Sequence, residues 1–129
     1  MFNQFLQYHD LGLFWLRIVI GIIFIYHAIP KFKNASSMAG MLGMNLPWFP
    51  YVLGLVEFVA GLGLILGLYV QLCALAIAVL MIGAIFMKKF KWKVPFSAHD
   101  KMGWEFDLIL LAGALMLLYT TGGSVFRLF

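Results

Sequence analysis

Apolar side chains fill this chain in long runs, and the polar positions fall between the runs or, in a handful of cases, inside them. A bilayer core about 30 Å thick needs roughly 20 mostly apolar residues per helix, and four segments read that way. The first starts near Leu11, is interrupted by Arg17 and His27, and is predicted to stop where Pro30 meets Lys31. The second runs from Pro50, whose missing N–H costs nothing in a first helical turn, to Tyr69. The third, Gln71 to Met87, is somewhat short, but Lys88 and Lys89 can reach the headgroups from its end. The fourth begins near Trp104 and carries no charge from Leu108 through Phe126. So little chain separates the second and third runs that they are expected to form a tight antiparallel hairpin. The fold expected is an all-α membrane protein, a four-transmembrane-helix bundle in one domain over residues 1–129, with helices near 11–30, 50–69, 71–88 and 104–123. The first run lacks a basic leader and an A-x-A-like cleavage site, which favours an uncleaved anchor over a signal peptide.

Composition agrees with the pattern. The chain is 64% hydrophobic and 11% charged, against about 25% charged residues in an ordinary soluble domain. Its 129 residues give room for one compact unit and none for a separate soluble catalytic domain. Charge adds an orientation. Lys31 and Lys33 fall in the loop 31–49, and Lys88, Lys89, Lys91, Lys93 and Lys101 in the loop 88–103, whereas the N-terminal tail has no Lys or Arg and the C-terminal tail only Arg127. The positive-inside rule then puts both loops in the cytoplasm and both termini outside. The net charge of +4 reads as a topology signal and a contact with anionic lipid in the bilayer, with no nucleic-acid partner implied. The single cysteine, Cys73, excludes an internal disulfide or a C-x-x-C pair.

The candidate chemistry lies in the polar residues inside the runs. A charge at mid-helix costs roughly 2.5–3.5 kcal/mol on insertion scales, so such residues face the interior, pair, and mark function. Glu57 falls seven residues after Pro50, roughly 10 Å into the bilayer. Gly54 and Gly61 share its helical face, so a neighbouring backbone can approach and bring a partner group to the carboxylate. Gly63 and Gly67 add a GxxxG spacing on an adjacent face, a candidate surface for a homo-oligomer. The plain structural alternative for Glu57 is a packing face with a protonated or hydrogen-bonded acid. His27 is predicted at a similar depth and takes its interest from Glu57; on its own it reads as an interfacial histidine. Arg17 lies nearer the other face, with Asp10 or Glu57 as alternative partners. Glu105 and Asp107 open the fourth run, where the helix dipole alone accounts for acids, and His99 and Asp100 stand just before them. Glu57, His27 and Arg17 are therefore the candidate catalytic residues, and Lys31, Glu105 and His99 the candidates for substrate contacts. His9, His27 and His99 show no metal-ligand spacing. The first loop, with Met38, Met41, Met44, Leu42, Leu46, Trp48 and Phe49, is apolar enough to lie in the interface or cap the bundle.

The strings "LRIVIGIIFIYHAIPKF", "GLVEFVAGLGLILGLYVQLCALAIAVLMIGAIF" and "WEFDLILLAGALMLLYTTGG" resemble the DoxX family of small four-helix membrane proteins. The matching positions are Arg17, Gly21, Lys31, Glu57, Gly61, Gly67, Glu105, Gly122 and Gly123, spread over nearly the whole chain. Gln71, in a turn where relatives often carry a basic residue, and a tail without their serine-leucine-aspartate ending depart from it. The resemblance implies a multi-pass protein of a prokaryotic cytoplasmic membrane carrying an oxidoreductase label. Some relatives are small subunits of quinone-linked respiratory enzymes, including one that oxidises thiosulfate, and others partner thiol- or superoxide-handling proteins.

The leading expectation is thus an integral membrane subunit of a quinone-linked redox system. In it Glu57, with His27 or Arg17, serves a quinone headgroup as proton donor and hydrogen-bond partner. The chain shows no cofactor motif of its own, so electrons are expected from a partner oxidoreductase or a soluble donor. Two other readings stay open. One is a non-catalytic scaffold that recruits or stabilises an oxidoreductase. The other is a small proton-coupled exporter, although in that class the essential glutamate belongs to the first helix and here it is in the second.

Overall fold

A computed structural model describes residues 2–43, 46 and 48–128, and it is helical throughout, with no strand among them. A two-turn 3₁₀ segment, Asn3–Tyr8, leads into α1 (His9–Lys33). The short α2 (Ala35–Met41) follows, then α3 (Trp48–Leu66) and α4 (Val70–Phe86). A π-helical turn, Met87–Lys91, extends α4, and α5 (Trp104–Thr120) comes last. Met44 lies outside the described residues. Three stretches are long and apolar enough to cross a membrane: Asn3–Lys33, Trp48–Leu66 and Val70–Lys91. At 17 residues α5 is shorter. Large apolar side chains such as Val19, Ile22, Leu72, Ile109 and Tyr119 point outward. Such surface is unsuited to water and suited to acyl chains.

The end of the first helix differs from the sequence reading. Pro30 does not end α1; it sits inside the helix, which continues to Lys33, where the Asn34 amide closes it on the Pro30 carbonyl. A proline in a last turn removes one backbone bond at a place where the helix is ending anyway, so the loss is tolerated. The extra turn carries Lys31 around to face α3. The apolar loop after it forms α2, whose Ala39 is buried.

α1 and α3 pack antiparallel at very short range. A Cβ built on Gly21 would lie 2.6 Å from the Gly61 carbonyl oxygen, and one on Gly61 would lie 2.7 Å from the Gly21 carbonyl oxygen. Further along, Gly54 faces the Ala28 carbonyl and the Lys31 stem. The backbones touch only because both helices lack side chains where they cross. Gly61→Ala is therefore expected to cost about 1–3 kcal/mol by overpacking against backbone that cannot move aside. Gly12→Ala, where an added Cβ meets nothing within 4 Å, serves as the control. Thermal unfolding of both variants in detergent reads the difference, and equal melting temperatures would mean that the crossing is not tight.

The core beneath is built from Ile20 and Phe24 of α1, Ala60 and Leu64 of α3, Ala74, Ile77 and Ala78 of α4, and Leu110, Ala114 and Leu117 of α5. α3 turns into α4 through Gly67, Leu68 and Tyr69. The Leu68 amide bonds the Gly63 carbonyl (2.8 Å) and the Gly67 amide the Leu64 carbonyl (3.3 Å), a Schellman cap with Gly67 at φ 70°. The same turn sets the surroundings of the two glycines of the GxxxG spacing. Gly63 lies against Cys73 and the Leu68 carbonyl, and Gly67 against Arg17 and Arg127 of the same chain. Both glycines are used up inside the fold.

Candidate functional site

The structure divides the candidate polar residues between the two ends of the helices. At one end Arg17 is wholly buried. Its guanidinium stacks over the Phe14 ring at 5.6 Å and donates to the carbonyl oxygens of Val125 and Phe126. Neither partner expected from the sequence is used. Asp10 instead accepts from Ser124 Oγ (2.9 Å) and contacts His9 (3.4 Å). Gly67 lies against the guanidinium and Gly122 against the stem of the same side chain, where side chains would collide with it, and both have the positive φ that glycine adopts without strain. The segment after α5 thus folds back as a cap on this charge, and the Leu128 amide bonds the Leu66 carbonyl at 3.3 Å.

At the other end Glu57, Lys31 and His27 come together, with Lys88 and Asp107 beside them. Lys31 Nζ lies 3.0 Å from Glu57 Oε2, both side chains being largely buried. Lys31 also reaches back to the His27 carbonyl at 3.5 Å. The partner of Glu57 is therefore Lys31, and neither His27 nor Arg17, because α1 runs one turn past Pro30. A second buried pair, Lys88 Nζ to Asp107 Oδ2 at 2.7 Å, joins the end of α4 to α5 and is held by charge rather than by an aligned hydrogen bond. The ring of His27 packs against Phe106, with centroids 5.8 Å apart.

Both ion pairs and His27 line a cavity of about 580 Å³. Its remaining walls are mostly apolar, with Phe24 from α1, Leu53 from α3, Leu80 from α4 and Leu110 from α5. Over one side lies α2, contributing Met38 and Met41. It is fastened to the π-helical turn: Lys91 Nζ donates to the Leu42 carbonyl at 2.6 Å, and Trp92 Nε1 to the Met41 carbonyl at 3.1 Å. A cavity of this size with apolar walls and a few convergent polar groups has the character of a small-molecule site. Intramembrane charges that pair around a cavity are the kind that serve function.

Glu105 and His99 do not line the cavity; both are exposed. Asp107, which the sequence reading left to the helix dipole, faces the cavity. A signal for this was available. Residues two apart on a helix point to nearly opposite faces, and it is Asp107 that shares a face with the buried Leu110, Ala114 and Leu117. The α5 amides that its first turn leaves open are met by the preceding loop, since Glu105 N bonds the Phe96 carbonyl at 3.0 Å.

An all-helical fold with lipid-suited surfaces and a cavity edged by buried ion pairs defines a class: an integral membrane protein with an internal polar site. The DoxX family profile matches residues 12–89, and the chain belongs to the DoxX family. It is also 32% identical over 113 residues to the protein named "Putative oxidoreductase CatD" of Bacillus subtilis (strain 168), an alignment covering 86% of this chain and 80% of that one. No solved structure gives a significant match.

Proposed function

We propose that this protein is the membrane-embedded, quinone-binding component of a redox system, and that the cavity between the two ion pairs receives the quinone headgroup. The observation that carries this reading is the joint presence of Glu57–Lys31 and Asp107–Lys88, drawn from opposite pairs of helices, on the wall of one apolar cavity. A quinone becomes a quinol by gaining two electrons and two protons. Each carboxylate can take up a proton from the aqueous side and pass it to the ring oxygen beside it, while the lysines hold the developing oxyanions by charge-assisted hydrogen bonds. His27, between the pairs, is a third proton carrier. These side chains move protons and not electrons, so the two electrons come from a partner oxidoreductase or a soluble reductant. The name of the Bacillus subtilis relative supports the redox setting.

In this reading α5 is the fourth crossing helix. Its 17 residues span about 25 Å, and an apolar stretch slightly shorter than the bilayer is accommodated by local thinning. The lysine-rich loops mark the cavity end as cytoplasmic in a prokaryotic cell membrane, and Arg17 belongs to the outer end, where it is structural.

Glu57→Gln tests the proton role, because the amide keeps the shape and still accepts from Lys31. Quinone-dependent electron transfer, measured in membranes against those of a deletion strain, is expected to fall about 100-fold or more, with expression unchanged. Full activity in this variant would sink the acid-base role and leave the scaffold reading in front.

A further inference from the structure

The cavity differs in how it meets water and how it meets lipid. Towards the aqueous phase it is covered by α2, which the Lys91 and Trp92 hydrogen bonds fasten to the end of α4. Along the outer face of α4 one of its lining residues, Val79, reaches the surface. α3 and α4 are held together near their shared turn, where Gly63 packs on Cys73. At the other end both helices line the cavity, α3 through Phe49, Leu53 and Glu57, and α4 through Val79, Gly83 and Met87. Val79 lines the cavity and is nevertheless 61% exposed. Gly83, one turn on, lies on the same face, and a Cβ added there meets nothing within 4 Å. The rim of α4 is thus apolar and free of bulk where the two helices part.

Resting on the quinone reading above, we propose that the ligand reaches this cavity sideways from the bilayer, between α3 and α4, and that it is a quinone with an aliphatic tail, the tail remaining in that gap across Val79 and Gly83. The walls fit such a ligand. Among the described residues, Met38, Met41, Met81, Met87 and Met102 line the cavity. Thioethers are flexible and polarisable, make favourable contacts with aromatic ring edges, and adapt to rings of differing shape. The ring is therefore held loosely, and selection falls on the polar groups at its ends and on the tail.

The experiment uses the purified protein in lipid nanodiscs. A polyprenylated benzoquinone is compared with its tailless ring analogue, each titrated as a mole fraction of the bilayer so that partitioning does not count as affinity. The half-maximal rise in melting temperature is the readout. In the wild type the tailed quinone is expected to act at a mole fraction at least ten times lower than the tailless one. Gly83→Trp, filling the gap, is expected to weaken the tailed quinone at least tenfold and the tailless one less than twofold. Val79→Trp, at an exposed position that any folded variant tolerates, is expected to do the same. Equal binding of the two quinones, insensitive to both tryptophans but abolished by Glu57→Gln, would overturn lateral access while keeping the cavity as the site. Binding that is also indifferent to Glu57→Gln would overturn both.

Discussion

Lys31→Met is expected to lower the stability of the detergent-solubilised protein by about 3–5 kcal/mol, the cost of leaving one partner of a buried ion pair alone. Methionine keeps the apolar stem of lysine, so the loss isolates the charge. Glu57, only 6% exposed at its side chain, would be left without its counter-ion in an apolar wall. Glu57→Leu is expected to do less harm, because Lys31 stands in the last turns of α1 and a freed ammonium there can extend towards the headgroups. The double variant Lys31→Met/Glu57→Leu should recover most of the loss, since replacing both partners by apolar groups removes the desolvation of both charges. Denaturant titration of the four proteins closes the cycle. If the two single losses simply add in the double variant, the contact is incidental and Lys31 does not hold Glu57.

Arg17→Ala should be comparably damaging, at about 2–5 kcal/mol for emptying a fully buried long side chain. Two terms oppose each other here. Burial of the guanidinium costs free energy, the more so because its Nε and Nη1 have no hydrogen-bond partner among the described residues. Against this, the Val125 and Phe126 carbonyls would lose a charged donor, and a hydrogen bond to a charged group contributes about 1.5–3 kcal/mol. Arg17→Met decides which wins, since it refills the void without charge or donor. A melting temperature below wild type but above that of Arg17→Ala is expected, together with faster proteolysis within 121–128. A methionine variant more stable than wild type would show that the buried charge is a net burden on the fold.

The sequence made the long helices legible because a bilayer imposes a length and an apolar composition that few other settings require, and Glu57 stood out as a lone carboxylate within them. Its partner was hidden by a rule that usually holds. Proline ends helices, and stopping α1 at Pro30 left Lys31 in a loop, unable to reach α3. Asp107 was hidden differently: beside Glu105 at a helix start, both acids were accounted for by the dipole, and only their opposite faces distinguish the one that turns inward. The partners of Arg17 were invisible on principle. They are backbone carbonyls, which every residue carries and no side-chain pattern announces. The lid formed by α2 was visible as an apolar loop, but its fastening again uses carbonyls, those of Met41 and Leu42.

The carbonyls that receive Arg17 lie 108 and 109 residues further along the chain. Synthesis runs in one direction, so the first long helix enters the membrane carrying a cation whose ligands have not yet been made. Until residues 125 and 126 have been made, the Arg17 guanidinium lacks the carbonyls that receive it. A ribosome that stops early leaves a product marked by an exposed intramembrane charge. Burial of the Arg17 guanidinium is therefore completed only after residues 125 and 126 have been made.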